Sequence, residues 1–385
     1  MSKIIALFTA IWMFLCPLKL RPAVNISPDE WNTNYDFVYV HGLSGWGSYN
    51  AQYKLMPYWG MFGGNLLKYL EKQGYNCCAA SVSPQGSAWD RACELYAQLT
   101  GTVTDYGKEH SARCHHSRFG PDFTGNALID EWSAEKKINL LGHSFGGATV
   151  RTLVSLMAVG SEEEKEVTGK SELSPLFEGG KADWIYSVTT LAAPHNGTTA
   201  YNTGDSDVKE AGTGLEQSAG KLVSAANRAD DDGRIKEDYA DYDMYIDNAL
   251  ELNKKLVLPE NIYYFSIACS STVRNEDGTY SCDDTKTEIL FRSSAEAMGH
   301  FTGTTKGGFV IDESWQENDG LVNTCSAKAP MYQPGTEYDA ENVQPGVWNI
   351  MPVYDGDHMS LQGGLFVKND VRVYHAELLD MINRL

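Results

Sequence analysis

Within INLLGHSFGGATVRTLVSLM, residues 138–157, Ser144 stands at the centre of Gly142-His143-Ser144-Phe145-Gly146. A strand-like apolar run from Ile138 to Leu141 precedes it, and a helical pattern begins at Ala148. A serine at such a corner is presented on a strained strand-to-helix turn, where flanking glycines avoid the clashes larger side chains would make. The helix that follows aims amide N–H groups at any negative charge developing beside the hydroxyl. That arrangement suits nucleophilic attack on a carbonyl. A serine hydroxyl is a poor nucleophile until a base takes its proton, and an acid must orient that base.

Folds built on this corner order the partners along the chain as serine, acid, histidine. Of nine histidines, His195, His300, His358 and His375 follow Ser144. His195, in LAAPHNGTT, comes too early to leave room for an acid before it. His300, in AMGHF, has no clear strand ahead, and His375 lies within the last helical segment, where a solvated or packed role is the default. His358, in VYDGDHMS, follows the strand-like VWNIMPVY near the C-terminus and is the expected base. Asp319, in WQENDGLVNT, precedes it at a glycine turn and is the expected acid, with Glu317, Asp355 and Asp357 as competitors. Asp357 adjoins His358, and neighbours on an extended loop point apart.

The elements that must position these groups alternate. YDFVYVHG, YNCCAASV, INLLGH, WIYSVTTLAAP, NIYYFSIAC and GVWNIMPVYD read as strands, whereas GNLLKYLEKQG and WDRACELYAQL read as helices. DVRVYHAELLDMINRL closes the chain as an amphipathic helix with Val371, Tyr374, Leu378 and Met381 on one face. Such alternation implies an α/β fold with a mainly parallel sheet covered by helices. The adjacent Cys77 and Cys78 are expected on a buried strand.

The 385 residues carry 31 basic and 51 acidic side chains, a net charge of −20, which argues against a nucleic-acid partner and against general binding to anionic membranes. GDSDVKE and NRADDDGRIKEDYADYD make residues 204–243 acidic and weakly apolar, a solvated insertion between two strands. At the N-terminus an apolar run from Ile4 to Leu18 follows one lysine. It is short for a membrane span and suits a signal peptide over residues 1–24, with a retained signal anchor as the alternative. Residues 25–385 are then a single catalytic domain, exported from the cell. Cys269 and Cys282 flank a segment whose Asp277-Gly278 reads as a hairpin turn, so a disulfide between them is expected.

Long blocks of the chain, from about Phe37 onward, resemble one family: the secreted triacylglycerol lipases of thermophilic bacilli and staphylococci. HGLSGWG, WDRACELYAQL, DYGKEH, SRFG, LSPLFEGG, SVTTLAAPHNGTT, ENDGLVNT and GVWNIMPVYDGDH are similar to that family's segments, in the same order. The resemblance implies the α/β-hydrolase fold with a lid insertion at about 200–250, Ser144 as nucleophile, Asp319 as acid and His358 as base. It also implies an oxyanion hole from the backbone N–H groups of Leu43 and Phe145, and acylglycerols, met at a lipid interface, as substrate.

The same resemblance implies a structural zinc site, with Asp90, His110 and His116 matching three ligands. Two imidazoles and a carboxylate suit zinc. The spacing of the two histidines does not place both along one helix, so a loop must bring them together. The fourth ligand falls in the shortened insertion, where Glu216 and Asp230, Asp231 and Asp232 are the candidates. The family's calcium site does not carry over, because Ser360 stands where a glutamate is needed and the following aspartate-proline is missing. The insertion also departs from a lipase lid: Leu215, Leu222 and Val223 form only a thin apolar stripe. A carboxylesterase acting on short soluble esters is therefore the nearest rival. A catalytically silent binding module is the rival from another class, and three filled triad positions argue against it.

Overall fold

The structure is a computed structural model that describes residues 26–203, 234–364 and 371–385. The apolar N-terminal run, Leu215, Glu216, Leu222, Val223 and Asp230 to Asp232 lie outside these residues.

Seven strands form one sheet: β1 (Asp36–Val40), β2 (Cys77–Ala80), β3 (Ile138–His143), β4 (Ile185–Leu191), β5 (Tyr263–Ile267), β6 (Gly335–Glu337) and β7 (Trp348–Ile350). Their order across the sheet is β6-β7-β5-β4-β3-β1-β2, and every neighbour pairing is parallel. A parallel sheet needs cover on both faces, so its strands are apolar on both. In β1, Phe37 and Tyr39 enter one apolar layer while Val38 and Val40 enter the other. The first layer includes α1 (Leu66–Glu71) and the C-terminal helix, through Leu66, Leu70, Leu379 and Ile382. The second includes α2 (Ala88–Thr100) and, beyond α3 (Lys108–Cys114), α4 (Gly146–Val159), through Leu95, Leu99, Leu153 and Met157. This is the α/β-hydrolase architecture.

The chain leaves β1 for β2 on one side and returns to β3 on the other. That reversal opens a crevice at the C-terminal ends of β1 and β3, where parallel sheets place their ligands. The two loops there touch: a β-carbon on Gly42 would lie 2.8 Å from the Ser144 β-carbon.

Three expectations need correcting, and one strand was not expected. The C-terminal helix, α5 (Val371–Asn383), is rotated from the expected face, burying Val371, His375, Ala376, Leu378, Leu379 and Ile382, while Tyr374 and Met381 are only half-buried. Burial of His375 is tolerated because Tyr39 Oη lies 3.1 Å from its Nδ1 and the Leu361 carbonyl 2.8 Å from its Nε2. The edge strand β6, exposed along its length, had no apolar pattern to announce it. The Cys269–Cys282 disulfide is not formed, and all seven cysteines among the described residues are free. The hairpin of Thr272–Arg274 and Tyr280–Cys282 does form, but its register sets Cys282 opposite Thr272, while Cys269 pairs with Tyr354. Finally, the end of the acidic segment is packed rather than solvated: Asp238 is fully buried, and Ala240 is buried at the start of the helix Ala240–Met244.

Candidate active site and metal centre

Ser144 follows β3 with φ of 54°, a left-handed backbone that an L side chain adopts only where its surroundings enforce it. Close packing enforces it here. A β-carbon on Gly142 would lie 2.4 Å from the Gly146 carbonyl oxygen, and one on Gly146 would lie 2.4 Å from that of Val40. The Ser144 N–H donates to Leu191 O at 2.8 Å, tying the corner to β4.

His358 Nε2 lies 2.9 Å from Ser144 Oγ, and its Nδ1 lies 2.9 Å from Asp319 Oδ2. Asp319 is fully buried. Its Oδ1 accepts the amides of Leu321 and Val322 at 3.0 and 2.7 Å, leaving Oδ2 for the imidazole. The His358 N–H donates to the Asp319 carbonyl at 2.9 Å, so base and acid are also joined through the backbone. Asp357 points elsewhere: it accepts Glu288 N–H at 2.8 Å, Met359 N–H at 3.1 Å and Ser360 Oγ at 2.9 Å. Burial raises its pKa. Asp355 pairs with Lys286 at 2.6 Å, His300 lies 3.2 Å from Glu296, and His195 lies 2.9 Å from Thr190 Oγ1. Thus Ser144, His358 and Asp319 converge, and Asp355, Asp357, His195 and His300 are engaged elsewhere.

The backbone amides of Leu43 and Phe145 flank the serine on the two touching loops, and neither donates to a protein acceptor among the described residues. Tyr58 and His143, to which the sequence assigned no role, tie these loops to the base. His143 Nε2 lies 2.8 Å from the His358 carbonyl and Nδ1 lies 2.7 Å from Tyr58 Oη. Burial, and then the neighbouring His358, pull the His143 pKa down to about 3. The neutral ring therefore donates from Nε2 and accepts the Tyr58 hydroxyl at Nδ1. The Tyr58 oxygen in turn accepts Gly42 N–H at 3.2 Å. The middle residue of Gly-His-Ser was the only sequence signal for this link.

A second cluster lies between α2 and α3. Helix α3 stops at Cys114, and His115, with φ of 63°, turns the chain so that His116 comes back beside His110. His110 Nε2 is 3.0 Å from Asp90 Oδ1 and 3.2 Å from Asp238 Oδ1, and His116 Nε2 is 3.7 and 3.3 Å from the same two carboxylates. Asp238, which the sequence reading did not single out among its acidic neighbours, is thus the fourth member. Cys114 also lies close, but its Sγ is 3.8 Å from His110 Nδ1, the ring nitrogen turned away from Asp90 and Asp238. His110, Cys114, His116 and Asp238 form a group that could hold a metal ion, with Asp90 beside it. His116 Nε2 and Asp238 Oδ2 are buried without a hydrogen-bond partner. Burial opposes protonation of His110, yet hydrogen bonds to Asp238 and Asp90 outweigh it and raise the pKa to about 11. Arg234 Nη1 already lies 3.0 Å from Asp90 Oδ2 and 3.8 Å from Asp238 Oδ2; two imidazoles beside two carboxylates are also a donor set that suits a divalent cation.

These features have relatives. Residues 33–233 and 229–385 match the family model described as "Lipase-like, C-terminal domain". The chain is 32% identical to a lipase of Staphylococcus epidermidis over 87% of its own length and 51% of the relative's. It is also 32% identical to Lipase 2 of Staphylococcus aureus over 94% of its length and 54% of the relative's. It therefore spans about half the length of the curated relatives it matches. Among solved structures, EstA from Clostridium botulinum superposes with a TM-score of 0.80 at 29% identity, covering 97% of this chain and 93% of that one. Lipase 1 from Pelosinus fermentans gives 0.72 at 33%, covering 90% and 98%. The Staphylococcus hyicus lipase gives 0.75 at 28%, covering 94% and 98%. With the sheet, the serine corner and these matches in agreement, the chain belongs to the bacterial lipase family that this domain model describes.

Proposed function

We propose that the chain hydrolyses carboxylic esters, acylglycerols foremost, through an acyl-enzyme on Ser144. The observation that carries this reading is His358 bridging Ser144 and Asp319 at 2.9 Å on each side, at the crevice of a parallel sheet. Ser144 Oγ attacks the ester carbonyl carbon as His358 Nε2 takes its proton, and the carbonyl electron pair moves onto oxygen. The N–H groups of Leu43 and Phe145 receive that oxyanion. Collapse expels the alcohol, which leaves with the proton from His358. Water then attacks the acyl-enzyme, giving its proton to His358; the acyl–Oγ bond breaks, Ser144 Oγ takes that proton back from His358, and the free acid is released. Asp319 holds the imidazole in the tautomer with Nδ1–H, so that Nε2 faces the serine as an acceptor.

The metal cluster takes no part in these steps. Asp90, His110, His116 and Asp238 would hold one structural zinc, which with Arg234 would offset the two buried carboxylates. Export is part of the proposal, supported by the apolar run from Ile4 to Leu18; among the described residues no helix is long and apolar enough to cross a membrane. A second reading, a carboxylesterase for short soluble esters, is favoured by the few large apolar side chains in residues 201–233. Rates on p-nitrophenyl esters from acetate to palmitate, and on an emulsified triacylglycerol, test the proposal. Turnover of the emulsion supports the acylglycerol reading. Turnover of short esters alone supports the second, and turnover of neither contradicts both.

A further inference from the structure

Arg91, next to Asp90 on α2, is fully buried beneath the loop that follows β1. Its Nε donates to Thr149 Oγ1 at 2.8 Å, and its Nη1 donates to the carbonyls of Ser83 at 3.2 Å and Gly42 at 3.4 Å. Its Nη2 donates to the His41 carbonyl, and the guanidinium carbon lies 5.2 Å from the centre of the Phe145 ring. The hydrogen bonds go to carbonyls and a hydroxyl, not to a carboxylate. Burying a cation on such partners is costly, and packing alone would favour an apolar residue of similar volume.

The Gly42 carbonyl belongs to the same peptide as Leu43 N–H. A trans peptide is planar, so its C=O and N–H point in opposite directions. Drawing the oxygen toward Arg91 therefore turns the Leu43 N–H the other way. A hydrogen bond from a cation to the oxygen also polarises the unit and strengthens its N–H as a donor. His41 reinforces the pull: its Nδ1 lies 2.9 Å from the same oxygen while its Nε2 accepts Val82 N–H at 3.3 Å. Burial, with Arg91 beside it, holds that ring neutral at about 3. On the other side of Gly42, its N–H is held by Tyr58. The residue is clamped at both ends.

We propose that Arg91 is a positioning residue for ester hydrolysis, orienting and polarising the Gly42–Leu43 peptide so that the Leu43 N–H meets the oxyanion. This rests on the serine-hydrolase reading above. Because the oxyanion exists only after attack, the role belongs to the transition state and not to substrate binding.

The test compares Arg91→Met and Arg91→Lys with the parent enzyme on p-nitrophenyl butyrate and with an alkyl trifluoromethyl ketone. Ser144 Oγ adds to that ketone's carbonyl carbon, its electron pair moves to oxygen, and the serine proton goes to His358. The product is an oxyanion in the same hole. Losing one hole donor outright costs about 10²- to 10³-fold, and weakening one should lower kcat about 10- to 100-fold in Arg91→Met. KM should stay within about threefold, ketone affinity should fall with kcat, and Arg91→Lys should recover part of both. Metal content is measured alongside, since Asp90 is adjacent, and should not change. A folded Arg91→Met with kcat and ketone affinity near the parent's overturns the proposal, as does a rise in KM alone. If Arg91→Met does not fold, Thr149→Val removes the Nε bond together with the 3.3 Å bond from Thr149 Oγ1 to the Phe145 carbonyl, which keeps the Thr149 N–H at 3.2 Å; it should still lower kcat and ketone affinity together, and no parallel fall in that variant sinks the idea. A parent enzyme that neither hydrolyses esters nor binds the ketone contradicts the serine-hydrolase reading itself.

Discussion

Replacing Asp319 by asparagine changes one atom, and the surrounding hydrogen bonds dictate what that atom does. Oδ1 accepts two backbone amides, from Leu321 and Val322. In the Asp319→Asn variant the side-chain oxygen must stay on those donors, because an NH₂ there would face two N–H groups. The NH₂ is then turned toward His358 Nδ1, where it can only donate. The imidazole adopts the tautomer with hydrogen on Nε2, facing Ser144 Oγ, and can no longer take the serine proton. The expected loss in kcat is about 10⁴-fold, or about 5 kcal/mol of transition-state stabilisation, with KM little changed. Asp357→Asn is the control. It is close in sequence to the base, yet its oxygens serve Glu288, Met359 and Ser360. Its loss should appear as about 1–3 kcal/mol of stability, with kcat within about tenfold of the parent. The assay is p-nitrophenyl butyrate turnover beside a thermal melt for each variant. If Asp319→Asn keeps more than about a tenth of the activity, or if Asp357→Asn falls as far, Asp319 is not the acid.

Chelation of protein purified with one zinc per chain should lower the melting temperature by several degrees before it alters turnover, since a ligand held at about a thousand times its Kd contributes about 4 kcal/mol. Asp238→Asn should lose the bound metal on elemental analysis and Cys114→Ser should keep it; the reverse result would move the ligand assignment to the thiol. Burial holds His375 at about 4, below its unfolded 6.5, so the unfolded chain binds more protons and stability falls as pH drops through that window. Between about pH 7 and pH 5 the loss is about 2 kcal/mol, and denaturant titrations of His375→Gln should show a shallower acid slope by that amount; an unchanged slope refutes the assignment. With only Leu215, Leu222 and Val223 as large apolar side chains along the insertion's stripe, rate should rise hyperbolically with ester concentration, and a jump at the solubility limit of a long-chain triacylglycerol would show a true interfacial lid.

Much of the site was legible because tight turns impose local sequence rules. Gly142 and Gly146 each sit against a carbonyl that admits no β-carbon, so the serine corner is written in the sequence around it. His358 was singled out by the strand ahead of it, and Asp319 by chain order, its glycine turn and the family resemblance. What stayed hidden depends on contacts between distant segments. Asp238 reaches His110 and His116 from more than a hundred positions along the chain, in a stretch where many carboxylates look alike. The Tyr58–His143 link needs two side chains that are both common in cores. Strand β6 pairs by backbone alone, so its exposed residues carry no pattern. The expected disulfide failed for a related reason: a turn signal fixes a hairpin but not the register at which its flanking cysteines arrive.

The central claim is that Ser144 is the nucleophile, and the most direct measurement is mass-spectrometric mapping of a fluorophosphonate adduct on the intact protein. One adduct per chain, on the peptide carrying Ser144, lost in Ser144→Ala together with ester hydrolysis while the melting temperature is kept, is the predicted result. An adduct on another residue, or a Ser144→Ala protein that still turns over esters within about tenfold of the parent, would contradict it.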